Sequence, residues 1–195
     1  MERITSWVRA LNAARRTVGK EPLPETHEVS DSWKAKLLLA EHSPIRLVEW
    51  EWSWEEIKQW VTAHLVRHHE GCEKFVHSQR DDRRDNPVPR DEMPQGSFND
   101  MDMTANAQAL INISRKRLCN NAAKETHDAW SQVQRAIREE DPIMASKMVP
   151  ECIYRGFCPE LKSCGWYKTE AAQRALQAYR NEYKENRQIK LPENE

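Results

Sequence analysis

The sequence predicts an α+β protein, mainly helical with a small strand component, and three observations lead there. Apolar residues recur at helical spacing in several segments, while period-2 alternation is clear in one. The composition is polar: 38% hydrophobic against 31% charged over 195 residues, with mean hydropathy −0.91. Such a chain suits a helical or oligomeric protein with a lean core. Glycine is scarce, with five in the whole chain. Neither GxGxxG nor a P-loop is present, which excludes those nucleotide sites. Any phosphate must instead be held by arginines or helix N-termini.

Lys and Arg total 30 against 31 Asp and Glu, a formal net charge of −1. That balance gives no electrostatic reason to bind nucleic acid or an anionic membrane. No stretch reaches the ~20 apolar residues of a membrane span, and Met1-Glu2-Arg3-Ile4 does not open a signal peptide. Five cysteines, none in CxxC, point to free thiols in a reducing, cytoplasmic compartment.

Three regions are expected. Residues 1–28 read as a loosely attached segment, because Pro22 and Pro24 break any helix over Trp7 to Val18. Residues 29–150 form the core, and 151–195 a cysteine-containing loop with a C-terminal helix. Within the core, Ser30 or Asp31 caps a helix whose apolar side is Trp33, Leu37, Leu38 and Leu39. Ile45 to Trp52 alternates Leu47, Glu49 and Glu51 against Val48, Trp50 and Trp52, a strand with one aromatic face. Ser53 is expected to cap a second helix, with Glu55 and Glu56 in its first turn. Its stripe of Ile57, Trp60, Val61 and Leu65 delivers Arg67-His68-His69 at the C-terminal end. Gln79 to Asp102 holds charges, Pro87, Pro89, Pro94 and Gly96, and reads as irregular, with Asp81 to Asp85 a solvated loop. Helices follow over Thr104 to Asn121 and Ala122 to Glu140, then a short one between Pro142 and Pro150. Cys152 to Gly165 reads as irregular, and Thr169 to Lys184 as a polar helix.

His64 to Arg80 concentrates four histidines and two arginines in seventeen residues. Three chemistries fit: a polar surface, a metal site on His64 and His68, or an anion site on Arg67 and Arg80. No HExxH glutamate accompanies the histidines, so no metal is expected there. On the helix from Thr104, Asn106 and Arg117 lie nearly three turns apart and share a face with Leu110 and Ile113. Gln108, Asn112 and Arg115 form a second polar stripe. Two polar-bearing faces fit a helix contacted by ligand from each side, or one whose polar groups meet water.

Taken together, these segments resemble the flavin-dependent thymidylate synthases. The string HLVRHHEGCEKFVHSQR is similar to that family's Arg-His-Arg triplet followed by Ser-x-Arg, here Arg67, His68 and His69, then Ser78-Gln79-Arg80. Glu41-His42-Ser43-Pro44 resembles its His-x-Ser/Thr-Pro, Arg90 to Pro94 its Arg-x-x-x-Pro, and Thr104 to Gln108 its Thr-x-Asn-Ala-Arg. The likeness runs from His42 to Glu125, under half the chain. Departures are His69 and Gln108 where the family has arginine, and nine residues between Arg80 and Arg90 where the family has several dozen.

The resemblance implies an oligomeric, mainly helical fold with a small antiparallel sheet. It also implies a homotetramer with FAD and dUMP at subunit interfaces. NADPH and methylenetetrahydrofolate are the implied co-substrates, and methylation of dUMP to dTMP the reaction. His42, Arg67, His68, His69, Asn106, Gln108 and Asn112 map to flavin positions. His64, Ser78, Gln79, Arg80, Arg90 and Arg117 map to the nucleotide, with Arg117 stabilising charge on the uracil and Ser78 positioning it. Alternatives are a relative that alters the pyrimidine C5 differently, and a non-catalytic helical assembly protein. Cys152, Cys158 and Cys164, at x5 spacing, fit either zinc with a histidine or buried reduced thiols, the latter preferred. Cys72 and Cys119 need no catalytic role. Trp50, Trp52, Trp54 and Trp60 read as core or subunit interface rather than as a stacking platform.

Overall fold

The structure, a computed structural model, describes residues 1–83 and 88–188. Its centre is a four-stranded antiparallel sheet of order β1-β2-β4-β3, with β1 at Glu2–Arg3, β2 at Glu49–Lys58, β3 at Cys72–Val76 and β4 at Phe98–Asn106. Helices α1 (Trp7–Thr17), α2 (Asp31–Leu39), α3 (Gln59–Leu65), α4 (Ala107–Arg117), α5 (Lys124–Glu140), α6 (Pro142–Lys147), α7 (Glu151–Arg155) and α8 (Glu170–Gln188) complete it. No helix among the described residues is long and apolar enough to cross a membrane.

One face of the sheet carries the core. Trp50, Trp52 and Trp54 of β2 stand opposite Ala105, Met103 and Met101 of β4, and all six are buried. Trp52 meets Trp54 edge-on at 5.6 Å and Trp130 of α5 at 6.0 Å, contacts worth about 0.5–1.5 kcal/mol each beyond their area. The other face shows Glu51, Ser53 and Asp102 to solvent.

Several expected boundaries move, each for a packing reason. No helix starts at Ser53: Trp54 pairs with Met101, and burying that indole outweighs the helix-start signal of Glu55 and Glu56. A bulge between Trp54 and Ile57 absorbs both glutamates, with Glu56 at φ 54° and its N–H donating to Asp100 Oδ1 at 2.9 Å. The strand expected from Ile45 begins at Glu49, after a 3-10 turn over Ser43–Leu47. Thr104 is not helical, because Asn99, Met101, Met103 and Ala105 alternate into the interior as β4. Asn106 ends that strand and caps α4 by accepting from Ala109 N–H at 2.9 Å. Helix α4 then stops at Arg117 rather than Asn121, and β3 is an unforeseen edge strand.

Residues 1–28 differ most from expectation. The prolines follow α1 rather than interrupt it, so the helix forms and Trp7, Val8 and Ala10 are buried. Trp7 Nε1 donates to Asp141 Oδ2 at 2.6 Å. Asn12 clamps the proline segment, donating to Leu23 O at 2.8 Å and accepting Leu23 N–H at 2.7 Å. Of the loop expected over 81–85, and Pro87 beyond it, residues 84–87 lie outside the described residues.

Candidate functional site

Two polar groupings surround α4. The first lies at its C-terminal end, where Arg117 meets the turn after α3. Arg117 Nη2 donates to the His64 carbonyl at 2.6 Å, and Nε donates to His68 Nε2 at 2.9 Å. His64 Nδ1 lies 2.8 Å from Thr126 Oγ1 of α5. Strand β3 secures the turn from the other side: Lys74 Nζ donates to the His68 carbonyl, and Cys72 Sγ reaches the same oxygen at 3.3 Å.

The electrostatics of this grouping are one-sided. Burial, then the charges of Arg117, Lys74 and His69, bring His68 down to about 4. Burial, then Arg117 and Arg67, also hold His64 below the ordinary histidine value. Arg117 is lowered by burial and by Arg67, and as a guanidinium it stays charged. At neutral pH His68 is therefore neutral, and its Nε2 lone pair accepts from the guanidinium. The charges left around it are positive: Arg117, Lys74 and Arg67 act on these histidines and on one guanidinium.

The second grouping lies along the side of α4 and is charge-balanced. Glu41, at φ 46° after α2, accepts from Arg115 Nη2 at 2.5 Å, Gln108 Nε2 at 2.5 Å and Tyr154 Oη at 2.6 Å. Gln108 also donates to Asn112 Oδ1 at 3.3 Å, and the Arg115 guanidinium lies 3.5 Å over the Tyr154 ring. The stripe of Gln108, Asn112 and Arg115 seen in the sequence is thus one network.

Beside it opens a cleft of about 710 Å³ lined by Glu41, Arg46, Glu70, Gly71, Asn106, Gln108 and Asn112, within the range of small-molecule sites. Gly71 has φ 70°, and a Cβ there would stand 2.6 Å from the Asn106 amide. Glycine is thus required both by the turn and by its contact with Asn106.

The residues singled out in the sequence divide accordingly. His64, His68 and Arg117 come together, with Arg67 close enough to act on Arg117 and His64. Asn106, Gln108 and Asn112 line the cleft. His42 is exposed at the start of the 3-10 turn, and His69 is exposed after α3. Ser78 and Gln79 are half-buried and Arg80 exposed. Arg80 forks onto Asp82 at 2.8 and 2.7 Å, and the Arg90 N–H donates to Asp81 Oδ1 at 2.9 Å. Sequence reasoning missed Glu41, Arg46, Glu70, Gly71, Lys74, Thr126 and Tyr154 as site residues. Only Gly71, followed by the alternating Cys72 to Val76, carried a legible signal, that of a turn into a strand.

No protein-family model matches the chain, and no curated protein matches it. Solved structures do. A UMP/dUMP methylase, PolB from Streptomyces cacaoi bound with 5-Br dUMP, superposes with TM-score 0.59 at 14% identity, over 80% of this chain and 93% of that one. The flavin-dependent thymidylate synthase ThyX of Helicobacter pylori, complexed with FAD and dUMP, gives TM-score 0.61 at 15% identity, over 76% and 100%. The chain therefore shares the fold of these two dUMP-binding enzymes, mainly helical about a small antiparallel sheet.

Proposed function

We propose that the chain is a flavin-dependent methyltransferase that converts dUMP to dTMP. It binds FAD, takes reducing equivalents from NADPH and one carbon from methylenetetrahydrofolate, and works as a homotetramer in the cytoplasm. The observation that carries this reading is the pair of guanidiniums Arg117 and Arg67, which hold no ion pair among the described residues and stand beside the neutral His64 and His68, in a fold shared with two dUMP-binding enzymes. A nucleotide phosphate or a developing uracil anion is the partner such a grouping lacks.

The cleft fits a flavin nucleotide. Arg46 offers a guanidinium for a pyrophosphate, Asn106 and Asn112 offer amides for ring edges, and the bare Gly71 backbone leaves room beside them. These residues, with Arg67, His68 and His69 from the turn after α3, would hold the cofactor. When bound, the flavin supplies the redox chemistry, so the chain needs no nucleophile of its own. Arg117 stabilises negative charge on the uracil, His64 orients Arg117 through its carbonyl, and Ser78 positions the base. Arg80 and Arg90 hold the phosphate. Both are exposed on the connection between β3 and β4, which supports a site completed where subunits meet.

A second reading has one observation in its favour. Gln108 stands at the family's arginine position and is engaged by Glu41, which weakens the anion grip of the cleft. A relative that keeps the nucleotide pocket but alters C5 with another group, or lacks flavin, would look the same there. The purified protein separates the readings: a flavin absorbance spectrum, dTMP from dUMP with folate and NADPH, and a tetramer by light scattering are expected. A colourless monomer that ignores dUMP would overturn the proposal.

A further inference from the structure

Four of the five cysteines line one small cavity. Cys119, just past α4, Cys152 of α7, and Cys158 and Cys164 of the following loop surround it, with Glu151, Glu160, Trp166 and Tyr167. All are free thiols.

The segment around the cavity is short of other support. From Phe157 to Gly165 it has no regular structure, and Phe157, Leu161 and Cys164 are exposed. Among the described residues the buried apolar cluster beneath it is small, Cys152, Ile153 and Leu176, with Val149, Trp166, Tyr167 and Tyr179 packed against it half-buried. Two hydrogen bonds add to this packing: Asn121 Nδ2 donates to Lys162 O at 2.8 Å, and Tyr167 Oη donates to Gly156 O. A loop of this kind with a lean core is where small proteins use a metal staple.

We propose that Cys119, Cys152, Cys158 and Cys164 form a structural zinc site that pins the 156–166 loop to the ends of α4 and α7. Four thiolates suit a closed tetrahedral zinc site with no open position for substrate, which makes the role structural. As they stand, no three His, Cys, Asp or Glu side chains among the described residues form a group able to hold an ion, so the thiols close inward as the ion binds. The movement falls on the loop, which Gly156 at φ 79° and Gly165 at φ 82° bound with left-handed turns. Each thiol releases its proton to solvent as its sulfur joins the zinc, since a coordinating thiol is deprotonated. The resulting cluster carries net negative charge. Lys116 stands beside it, with Nζ 3.6 Å from Glu160 and 4.0 Å from Glu151, and supplies an outer counter-charge.

This inference does not depend on the proposed enzymatic function. The test is elemental analysis of the full chain purified with reductant and without chelator, expected to give about one zinc per chain. X-ray absorption of the wild type should show sulfur neighbours alone at about 2.3 Å. Cobalt added to the metal-free wild type should develop thiolate charge-transfer absorption, a readout that requires no variant to fold. Cys119→Ser and Cys164→Ser should each lower zinc content at least several-fold, whereas Cys72→Ala, outside the cavity, should keep it. A metal-free wild type that takes up neither zinc nor cobalt would overturn the proposal. So would iron with sulfide, a mass lowered by disulfide formation under native conditions, or zinc retained in both serine variants.

Discussion

The two polar groupings around α4 each hold arginine, yet behave oppositely. Around Glu41 each charge has its counter-charge: one carboxylate takes Arg115, Gln108 and Tyr154, and Arg115 also stacks on the Tyr154 ring. Around Arg117 no carboxylate pairs with the cations among the described residues, and burial followed by neighbouring positive charge lowers the proton affinity of His64, His68 and Arg117. The first arrangement pairs its charges within the fold, leaving Arg115 Nε buried without a hydrogen-bond partner, and ties α2, α4 and α7 together. The second leaves Arg67 and Arg117 without an ion pair among the described residues, which is where the proposed function puts an anion. Charge compensation, rather than residue type, separates the positioning network from the proposed ligand site.

The largest expected effect comes from breaking the balanced side. Arg115 and Glu41 side chains are 18% and 23% exposed, so Glu41→Ala strands a mostly buried guanidinium. A loss of about 2–4 kcal/mol in stability is expected, at the lower side of values for broken buried pairs because both groups keep some solvent. Urea unfolding measures it. A loss under about 0.5 kcal/mol would show that the network is ornamental and that the contrast between the two regions is false.

Next comes the unbalanced side. Arg117→Ala should weaken dUMP binding by about 1.5–3 kcal/mol, the scale of a charged hydrogen bond, with calorimetric titration as the measurement. Glu41→Gln, in the other region, should leave that affinity within about twofold. Equal losses in both variants would merge the two regions into one site.

A third effect follows from His68. Its pKa falls from the ordinary value of 6.5 in the unfolded chain to about 4 in the fold. Between these values the unfolded chain binds more protons, so stability rises with pH across that window and is full above 6.5. As pH drops from 6.5 towards 4, a loss of about 1–2 kcal/mol is expected after allowing for the partial exposure of the ring. A bound phosphate would offset the repulsion, so saturating dUMP should shrink the slope. His68→Asn, which keeps an acceptor, should flatten it. Stability that is flat over this range in the wild type would mean that His68 is not buried against the cations.

The sequence made one side-chain cluster and one core face legible, and several element boundaries not. His64, Arg67, His68 and Arg117 could be read because guanidinium and imidazole side chains clustered at motif spacing carry their chemistry in their identity. Trp50 and Trp52 were legible as a core face for a similar reason, since alternation in a strand is local. Three boundaries were not. Ser53-Trp54-Glu55-Glu56 satisfies the local rules for a helix start, and only the distant pairing of Trp54 with Met101 decides otherwise. Thr104 carries the same ambiguity, since strand and helix signals overlap there. Trp7 looked loosely attached because its partner Asp141 lies 134 residues away. Glu41 was missed because a lone glutamate shows nothing of the three donors that the fold brings to it.

The smallest expected effect concerns Arg80, which sits between the two regimes. Its fork is taken by Asp82 at 2.8 and 2.7 Å, with both side chains more than half exposed. If Arg80 holds a nucleotide phosphate, Asp82 competes for it, and the pair must open before dUMP binds. An exposed ion pair is worth about 0.2–1 kcal/mol, so Asp82→Ala should tighten dUMP binding by roughly two- to threefold and leave stability nearly unchanged. Arg80→Ala should weaken it, and the double variant should match Arg80→Ala alone, because the aspartate acts only through the arginine. At about 1 M salt, where the screening length falls to roughly 3 Å, the gain from Asp82→Ala should vanish. A gain that persists in the Arg80→Ala background would place Asp82 itself against the nucleotide, and Arg80 would then belong to the balanced surface rather than to the site.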